Sequence, residues 1–192
     1  IDPNQVYIAG LSSGGAFAME AGCLAPDVFA GMGLVGAPSA GTGMGGAFGF
    51  EGTIESTRAA CLSYAGTNAS HFNTQVTVSA FGTGDYTVSQ NYGPQNAGAM
   101  ARIYGHSDPS VSMTVTKATA LINQEKTVLL MSLTGEGHAW PGGTGASGSF
   151  IGSASLNYAT FLGDFFNKNN RRVTDPNNPP NVSVTASAAG VS

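Results

Sequence analysis

The sequence has 192 residues, only 9% of them charged, and a formal net charge of −4. This length suits one domain with a sizeable core. The sparse and acidic charge argues against nucleic acid or an anionic membrane surface as a partner. No apolar run approaches the length of a membrane span, which excludes a transmembrane segment in this sequence.

The first predicted strand, near residues 5–10, runs directly into a Gly-x-Ser-x-Gly motif, and a helix follows. Strand, tight turn and helix are the context in which this motif forms a nucleophile elbow, with a serine in a strained backbone conformation. We therefore predict Ser12 as a nucleophile and the N–H of Ser13 as one oxyanion-hole donor. Gly10 and Gly14 are predicted to leave room for the turn.

Strands and helices alternate along the rest of the chain, which predicts an α/β fold with a parallel sheet. Three further strands are predicted near residues 29–36, 76–82 and 127–133. Helices are predicted over 13–24, 53–65, 91–104 and 154–167, and residues 111–123 form a second amphipathic stretch after the third of them. The Gly-rich segment 36–52 has neither a helical nor a strand period, and we predict it to be a long loop that walls the site.

Asp85 and His138 each follow a predicted strand, and together with Ser12 they stand in the order nucleophile, acid, base. This is the chain order of α/β-hydrolases. A serine hydroxyl needs a base to take its proton, an imidazole can do so, and a carboxylate fixes the imidazole tautomer. The three residues are therefore the predicted catalytic triad.

Other titratable residues are candidates for the same roles. His71 precedes a strand, whereas His106 and Asp108 follow a helix and a turn, so none of them has the expected position. Asp164 on the last helix is predicted to be a surface residue. Glu136 either supports His138 or is a solvated loop carboxylate, and the sequence leaves both open.

Two aromatic residues flank the predicted triad in sequence. Tyr86 follows Asp85, and Trp140 lies two residues after His138. Both are candidate substrate-binding residues, with Trp140 as a wall for the acyl chain. A single tryptophan at such a position also commonly covers the edge of a core, and this alternative stays open.

The two cysteines, Cys23 and Cys61, are too few for a metal site and lack the C-x-x-C spacing of redox proteins. They are either two buried thiols or one disulfide that ties the helix after Ser12 to the loop before the next strand. A secreted protein would favour the disulfide.

Three segments together resemble the extracellular poly(3-hydroxybutyrate) depolymerase and feruloyl/acetylxylan esterase family. They are residues 1–15, the Gly-Thr-x-Asp-x-x-Val segment at 82–88 and the Gly-His-Ala-Trp-Pro-Gly-Gly segment at 137–143. The last is much more specific than the serine motif. The resemblance covers residues 1 to about 168. It implies an α/β-hydrolase fold, secretion, and hydrolysis of a polymeric or oligomeric ester without metal or cofactor.

Members of this family carry several strands before the nucleophile, and a loop after one of them supplies the second oxyanion donor. We therefore expect residues 1–172 to be a catalytic domain that is incomplete at its N-terminus, with one sheet edge left exposed and apolar. The alternative is a circularly permuted catalytic domain, in which the segment that supplies the second oxyanion donor comes after the histidine in the chain. Residues 173–181 are predicted to be a Pro/Asn-rich linker, and 182–192 the start of a truncated β-type module.

The leading functional hypothesis is a serine esterase that acts on polyhydroxyalkanoate. The alternatives are a feruloyl or acetylxylan esterase and a non-catalytic polymer-binding remnant of the fold. Sparse charge and aromatic residues near the triad favour a polyester only modestly, because the shape of the pocket decides which acyl group is accepted.

Overall fold

The computed structural model describes residues 1–47, 49–115, 118–153 and 156–173, in which a six-stranded sheet is flanked by helices. The sheet strands are β1 (Tyr7–Leu11), β2 (Gly31–Val35), β3 (Val76–Gly82), β4 (Val111–Val115), β5 (Ala118–Ile122) and β6 (Val128–Leu133). The α-helices are α1 (Ser13–Leu24), α2 (Ile54–Ala65), α3 (Tyr92–Ile103) and α4 (Tyr158–Asn169). Two short strands, β7 (Trp140–Pro141) and β8 (Ile151–Gly152), pair with each other outside the main sheet.

The strand order is β1-β2-β3-β6-β5-β4, and the first four strands are parallel. These are the four strands predicted from the sequence, and their parallel arrangement is confirmed. Because the carboxyl ends of parallel strands lie on one side of a sheet, the loops that follow β1, β2, β3 and β6 meet there. Strand β1 lies at one edge of the sheet, where it pairs with β2 and is only partly buried.

The second amphipathic stretch, residues 111–123, is not a helix but the antiparallel hairpin β4–β5, which extends the sheet beyond β6. Its first half reads Val111-Ser-Met113-Thr-Val115, an alternation with the period of two that a strand requires. In this short stretch the β-branched residues and the pairing with β6 outweigh a helical pattern.

The sheet has a core on each face. On one face α1, α2 and α3 pack through Met19, Cys61 and Met100 against Met32 and Leu34 of β2. On the other face α4 supplies the aromatic and aliphatic side chains that cover β3 and β6, namely Tyr158, Leu162, Phe165 and Phe166. A sheet buried on both faces explains why its parallel strands are nearly continuous runs of apolar residues.

A disulfide joins Cys23 of α1 to Cys61 of α2, and both residues are fully buried. Of the two possibilities left open by the sequence, the structure has the disulfide. It connects two helices rather than a helix and a loop. The closed loop spans 38 residues and contains the whole Gly-rich segment 36–52.

Helix α4 begins at Tyr158, later than the predicted residue 154, because the Asn157 side chain accepts a hydrogen bond from the N–H of Thr160 and caps the helix there. After α4 in the chain, Arg172 attaches the end of the described region to the segment before β2. Its guanidinium donates to the backbone carbonyls of Pro26, Asp27, Val28 and Phe29. Burial lowers the pKa of Arg172.

The predicted β module and all but the first residue of the predicted linker lie outside the described residues. No helix in the described part is both long and apolar enough to cross a membrane.

Candidate active site

Ser12 lies between the end of β1 and the start of α1, with φ 57° and ψ −124°. A non-glycine residue rarely adopts a positive φ, and such strain persists only where the surroundings impose it. Here the N–H of Ser12 is held by the carbonyl of Val35 on the neighbouring strand at 2.9 Å. The sharp turn at Ser12 is the conformation that the elbow motif requires.

The two glycines of the motif have different roles. A Cβ on Gly10 would lie 2.2 Å from the carbonyl oxygen of Gly14, so Gly10 is required for the close approach of strand and helix. The prediction for Gly14 is wrong, because a Cβ there would meet nothing within 4 Å. The second constrained position is Gly15, where a Cβ would come 2.7 Å from that of Ala37.

Ser13 is the first residue of α1 and is exposed at its N-terminus. The N–H groups of a first helical turn have no acceptor within the helix, and the helix dipole adds partial positive charge there. The Ser13 N–H next to the Ser12 hydroxyl is therefore suited to stabilise a developing oxyanion.

Asp85 and His138 form a hydrogen-bonded pair, with Asp85 Oδ2 2.8 Å from His138 Nδ1. The other carboxylate oxygen of Asp85 accepts from the N–H groups of Thr87 at 2.9 Å and Val88 at 3.0 Å. These bonds fix the carboxylate, and the carboxylate in turn favours the imidazole tautomer with a proton on Nδ1. His138 Nε2 is then left as a proton acceptor.

Ser12 and the Asp85–His138 pair meet at the end of β2. The carbonyl of Val35 accepts from Ser12, and a Cβ on the next residue, Gly36, would lie 2.9 Å from Asp85 Oδ2 and 3.5 Å from His138 Nδ1. The absence of a side chain at Gly36 thus lets the pair approach the elbow. Among the described residues the Ser12 hydroxyl makes no hydrogen bond. A serine–histidine bond in such sites often forms only when substrate is bound.

The rival residues lie elsewhere. Asp108 is paired with Arg102 at 3.3 Å on the surface, and His106 follows α3. His71 belongs to the short 3₁₀ helix before β3, and Asp164 lies on α4 on the opposite face of the sheet. Within the described part of the chain, none of the four forms a hydrogen bond or ion pair with Ser12, Asp85 or His138.

Glu136 is buried rather than solvated, with only 8% of its surface exposed. The backbone carbonyl of Glu136 accepts a hydrogen bond from the N–H of Gly84 at 2.8 Å. The Glu136 carboxylate packs directly against Gly152, where an added Cβ would lie 2.3 Å from Oε2. Glu136 therefore lies at the base of the loop that carries His138, between that loop and β8.

A cleft of about 450 Å³ opens beside Ser12. One wall is the first turns of α1, a second is the Gly-rich segment, and the third is the loop after Asp85. The lining residues are Ser12, Ser13, Ala16, Phe17, Glu20, Pro38, Ser39, Thr42, Gly43, Thr87 and Val88. The predicted wall role of segment 36–52 thus agrees with the structure, although part of the segment, Met44–Ala47, is a 3₁₀ helix rather than loop.

Buried amides of α3 hold the Gly-rich wall in place. The Gln95 side-chain amide donates to the hydroxyls of Ser39 and Thr57, each at 3.0 Å, and to the carbonyl of Glu51 at 3.1 Å. The Asn96 amide donates to the carbonyl of Ala37 and accepts from the Ser39 hydroxyl. Nothing in the sequence pattern singled out these two residues.

Three aromatic residues near the site differ in exposure. Tyr86 is almost fully exposed, at 95%. Trp140 packs edge-to-face on buried Tyr158, with ring centroids 5.1 Å apart, so in this structure it covers the edge of the core. Burial raises the pKa of Tyr158, whose neutral hydroxyl donates to Leu34. Sequence reasoning missed Phe150, which is exposed and lies at a right angle to the His138 ring.

This chain is similar to proteins that are already known. No family model matches it. The poly(3-hydroxybutyrate) depolymerase of Ralstonia pickettii is 41% identical to it over 183 residues. The chain is a homologue of that depolymerase. The alignment covers 90% of this chain and 37% of the depolymerase, so the chain spans little more than a third of its homologue. The resemblance found in the sequence is thereby confirmed.

Solved structures of low sequence identity share the fold of this chain. Acetyl xylan esterase from Aspergillus awamori aligns with a TM-score of 0.60 at 18% identity, over 71% of this chain and 55% of its own. PHB depolymerase from Penicillium funiculosum has a TM-score of 0.56. A PHB depolymerase complexed with an R3HB trimer has a TM-score of 0.54. Both depolymerases are 22% identical and cover 81% of this chain and 45% of their own. The fold is that of α/β-hydrolase esterases.

Proposed function

We propose that this chain carries the catalytic centre of a secreted serine esterase that hydrolyses poly(3-hydroxybutyrate) or related polyhydroxyalkanoates. The observation that carries the proposal is the hydrogen-bonded Asp85–His138 pair next to the strained Ser12 at one end of the sheet. Such a constellation is suited to acyl transfer. The homology to the depolymerase of Ralstonia pickettii supports the choice of ester class.

In the acylation step the Ser12 hydroxyl oxygen attacks the ester carbonyl carbon while His138 Nε2 takes the hydroxyl proton. The carbonyl oxygen becomes an oxyanion that accepts a hydrogen bond from the Ser13 N–H. Asp85 stabilises the imidazolium so formed. When the tetrahedral intermediate collapses, the bond to the alcohol oxygen breaks, and His138 gives that oxygen its proton. Ser12 is left as an acyl ester.

In the deacylation step water attacks the acyl carbon and His138 takes one of its protons. The second tetrahedral intermediate expels the Ser12 oxygen, which recovers a proton from His138. Over both steps, hydrolysis of one ester bond yields two shorter chains, one that ends in a free hydroxyl and one that ends in a free carboxylic acid. All three triad residues return to their starting protonation states, so no further reactant besides water is needed.

The residues that line the cleft favour an uncharged, apolar substrate. Glu20 is the one charged side chain among the residues that line the cleft, and Phe17, Pro38 and Val88 supply apolar surface. A polyester chain with methyl branches suits such a lining. The solved depolymerase complex with an R3HB trimer gives the same substrate class for a protein of this fold.

The buried disulfide between Cys23 and Cys61 supports secretion, because structural disulfides persist in oxidising compartments. The low, acidic charge supports a polymeric or oligomeric ester as partner rather than nucleic acid or an anionic membrane.

The test is a side-by-side assay of this chain on 3-hydroxybutyrate trimer, methyl ferulate and acetylated xylo-oligomers. We expect the highest kcat/KM on the trimer and loss of all hydrolysis in Ser12→Ala. A fluorophosphonate should phosphonylate Ser12 with loss of fluoride in the unaltered chain, a mass increase that the variant should not show. A preference of about tenfold or more for either other ester, ~1.4 kcal/mol of transition-state binding, would replace the substrate assignment. Hydrolysis by Ser12→Ala would exclude Ser12 as nucleophile.

A further inference from the structure

Phe150 combines two features that rarely occur together. Its φ is 60°, and 67% of the residue surface is exposed. In the described part of the chain Ser12, Lys126 and Phe150 are the non-glycine residues with positive φ. For a bulky side chain this conformation is an outlier, and such strain concentrates at functional sites. A strained backbone that presents an apolar ring to water calls for an explanation in terms of function.

The backbone around Phe150 is anchored to the loop that carries His138. The Phe150 carbonyl accepts from the N–H of Trp140 at 2.8 Å, and β8, which follows it, pairs with β7. Trp140 itself is packed on the buried Tyr158 ring. The position of the Phe150 ring is therefore set by the core, although the ring is exposed.

This anchoring brings the Phe150 ring to the catalytic histidine. The ring centroids of Phe150 and His138 are 6.3 Å apart and their planes are at 85°. His138 is buried apart from a small exposed part of its side chain, at 11%. Phe150 thus flanks His138 on its solvent side.

The position of Phe150 can be assigned relative to the two halves of an ester. The cleft beside Ser12 is lined by residues of α1, the Gly-rich segment and the loop after Asp85, whereas His138 and Phe150 do not line it. In acyl transfer the histidine must reach the oxygen of the leaving alcohol, so that half of the substrate lies against His138. The acyl half is left for the cleft.

We propose that Phe150 forms the subsite for the alcohol half of the ester, where its ring contacts the methyl-bearing hydroxyacyl units beyond the scissile bond. The proposal rests on the esterase function proposed above and extends it to a specificity-determining residue. The strained turn holds the ring beside His138, so the contact needs no rearrangement when substrate binds.

The test compares 3-hydroxybutyrate trimer with methyl 3-hydroxybutyrate. At the trimer's ester bond nearest its free hydroxyl end the acyl group is the same as in the methyl ester, and only the alcohol differs. In Phe150→Gly the ring is removed and the backbone conformation becomes unstrained, so the folded state should keep or raise its Tm. We expect kcat/KM on the trimer to fall roughly tenfold, with little change on the methyl ester. Phe150→Leu should restore most of the loss. The matched variant Phe17→Ala, on the cleft side, should affect both esters alike.

An equal loss on both esters, or no loss on either, would overturn the proposal. If the unaltered chain hydrolyses neither ester, the proposed function fails. A measurement of trimer binding then tests by itself whether Phe150 forms part of a binding subsite. Calorimetry with the trimer would compare Ser12→Ala alone with Ser12→Ala combined with Phe150→Gly. Weaker binding by the double variant supports the subsite. Equal binding by both, or no binding by either, overturns it.

Discussion

Asp85 and His138 are 53 residues apart in the sequence, yet their side chains form a hydrogen bond of 2.8 Å at the end of adjacent parallel strands. Asp108, the rival carboxylate in the sequence, is exposed and bound to Arg102. The two carboxylates therefore offer a matched pair for testing the catalytic assignment.

Asp85→Asn should lower kcat by roughly 10⁴-fold, because the amide favours the wrong imidazole tautomer and cannot stabilise an imidazolium. Asp108→Asn removes a surface ion pair and should leave kcat nearly unchanged. The measurement is steady-state hydrolysis of 3-hydroxybutyrate trimer by both variants. Greater sensitivity at position 108 would show that the acid was assigned to the wrong residue.

Ser12→Gly should abolish hydrolysis while it stabilises the fold by about 1 kcal/mol, because glycine relieves the positive φ at this position. For a domain of this size the gain corresponds to a rise in Tm of roughly 2–4 °C. Ser12→Ala keeps the strain and should show no such gain. Calorimetry of the two variants checks the prediction, and an equal Tm for both would show that the elbow stores little strain.

Gly10→Ala and Gly14→Ala should differ sharply, although both replace a glycine of the motif. The new Cβ at position 10 meets backbone atoms at 2.2 Å, and we expect a loss of about 3 kcal/mol or more. At position 14 it enters open space in the first turn of α1, where alanine should be neutral or slightly stabilising. Urea titration of both variants measures the difference. A large loss in Gly14→Ala would contradict the structure of the elbow.

The double variant Cys23→Ala/Cys61→Ala should lose ~4 kcal/mol of unfolding free energy, from the entropy of the 38-residue loop that the disulfide closes. Because both cysteines are fully buried, a mild reductant should leave the native disulfide intact and act only on unfolded protein. Guanidinium titration with and without reductant tests both statements. Rapid reduction of the native protein would mean that the α1–α2 contact opens readily.

Gln95→Glu should disturb the cleft wall without changing the three residues of the proposed triad. A carboxylate cannot donate to the Glu51 carbonyl, and a buried charge beside that unpaired carbonyl costs about 2 kcal/mol or more, while the Ser39 and Thr57 hydroxyls must turn to donate to the carboxylate instead of accepting from the amide. We expect a raised KM for the trimer, since Ser39 lines the cleft, together with a lower Tm. Asn91→Asp makes the same chemical change at an exposed position of the adjoining helix end and serves as the control. A variant with reduced Tm and unchanged KM would show that the hydrogen bonds of Gln95 only stabilise the fold.

The local part of the fold was predictable from the sequence. The strand–turn–helix at Ser12 follows from short-range signals, namely an apolar run, a glycine turn and a helix start. The chain order of Ser12, Asp85 and His138, each after a strand, was also readable because parallel strands bring their carboxyl ends together. The residue pattern at 111–123 was misread, since over so few residues the helical and strand periods are hard to separate.

The sequence by itself determined which residues carry the candidate chemistry and on which end of the sheet they lie. Only the tertiary structure decided that Cys23 and Cys61 are bonded, that Glu136 is buried, that Gln95 and Asn96 hold the cleft wall, and that Phe150 lies beside His138. The physical reason is the distance along the chain over which each kind of interaction acts. Backbone periodicity and turn chemistry act over a few residues and leave a trace in the local sequence. A contact between residues far apart in the chain depends on how whole elements pack, which no local pattern encodes.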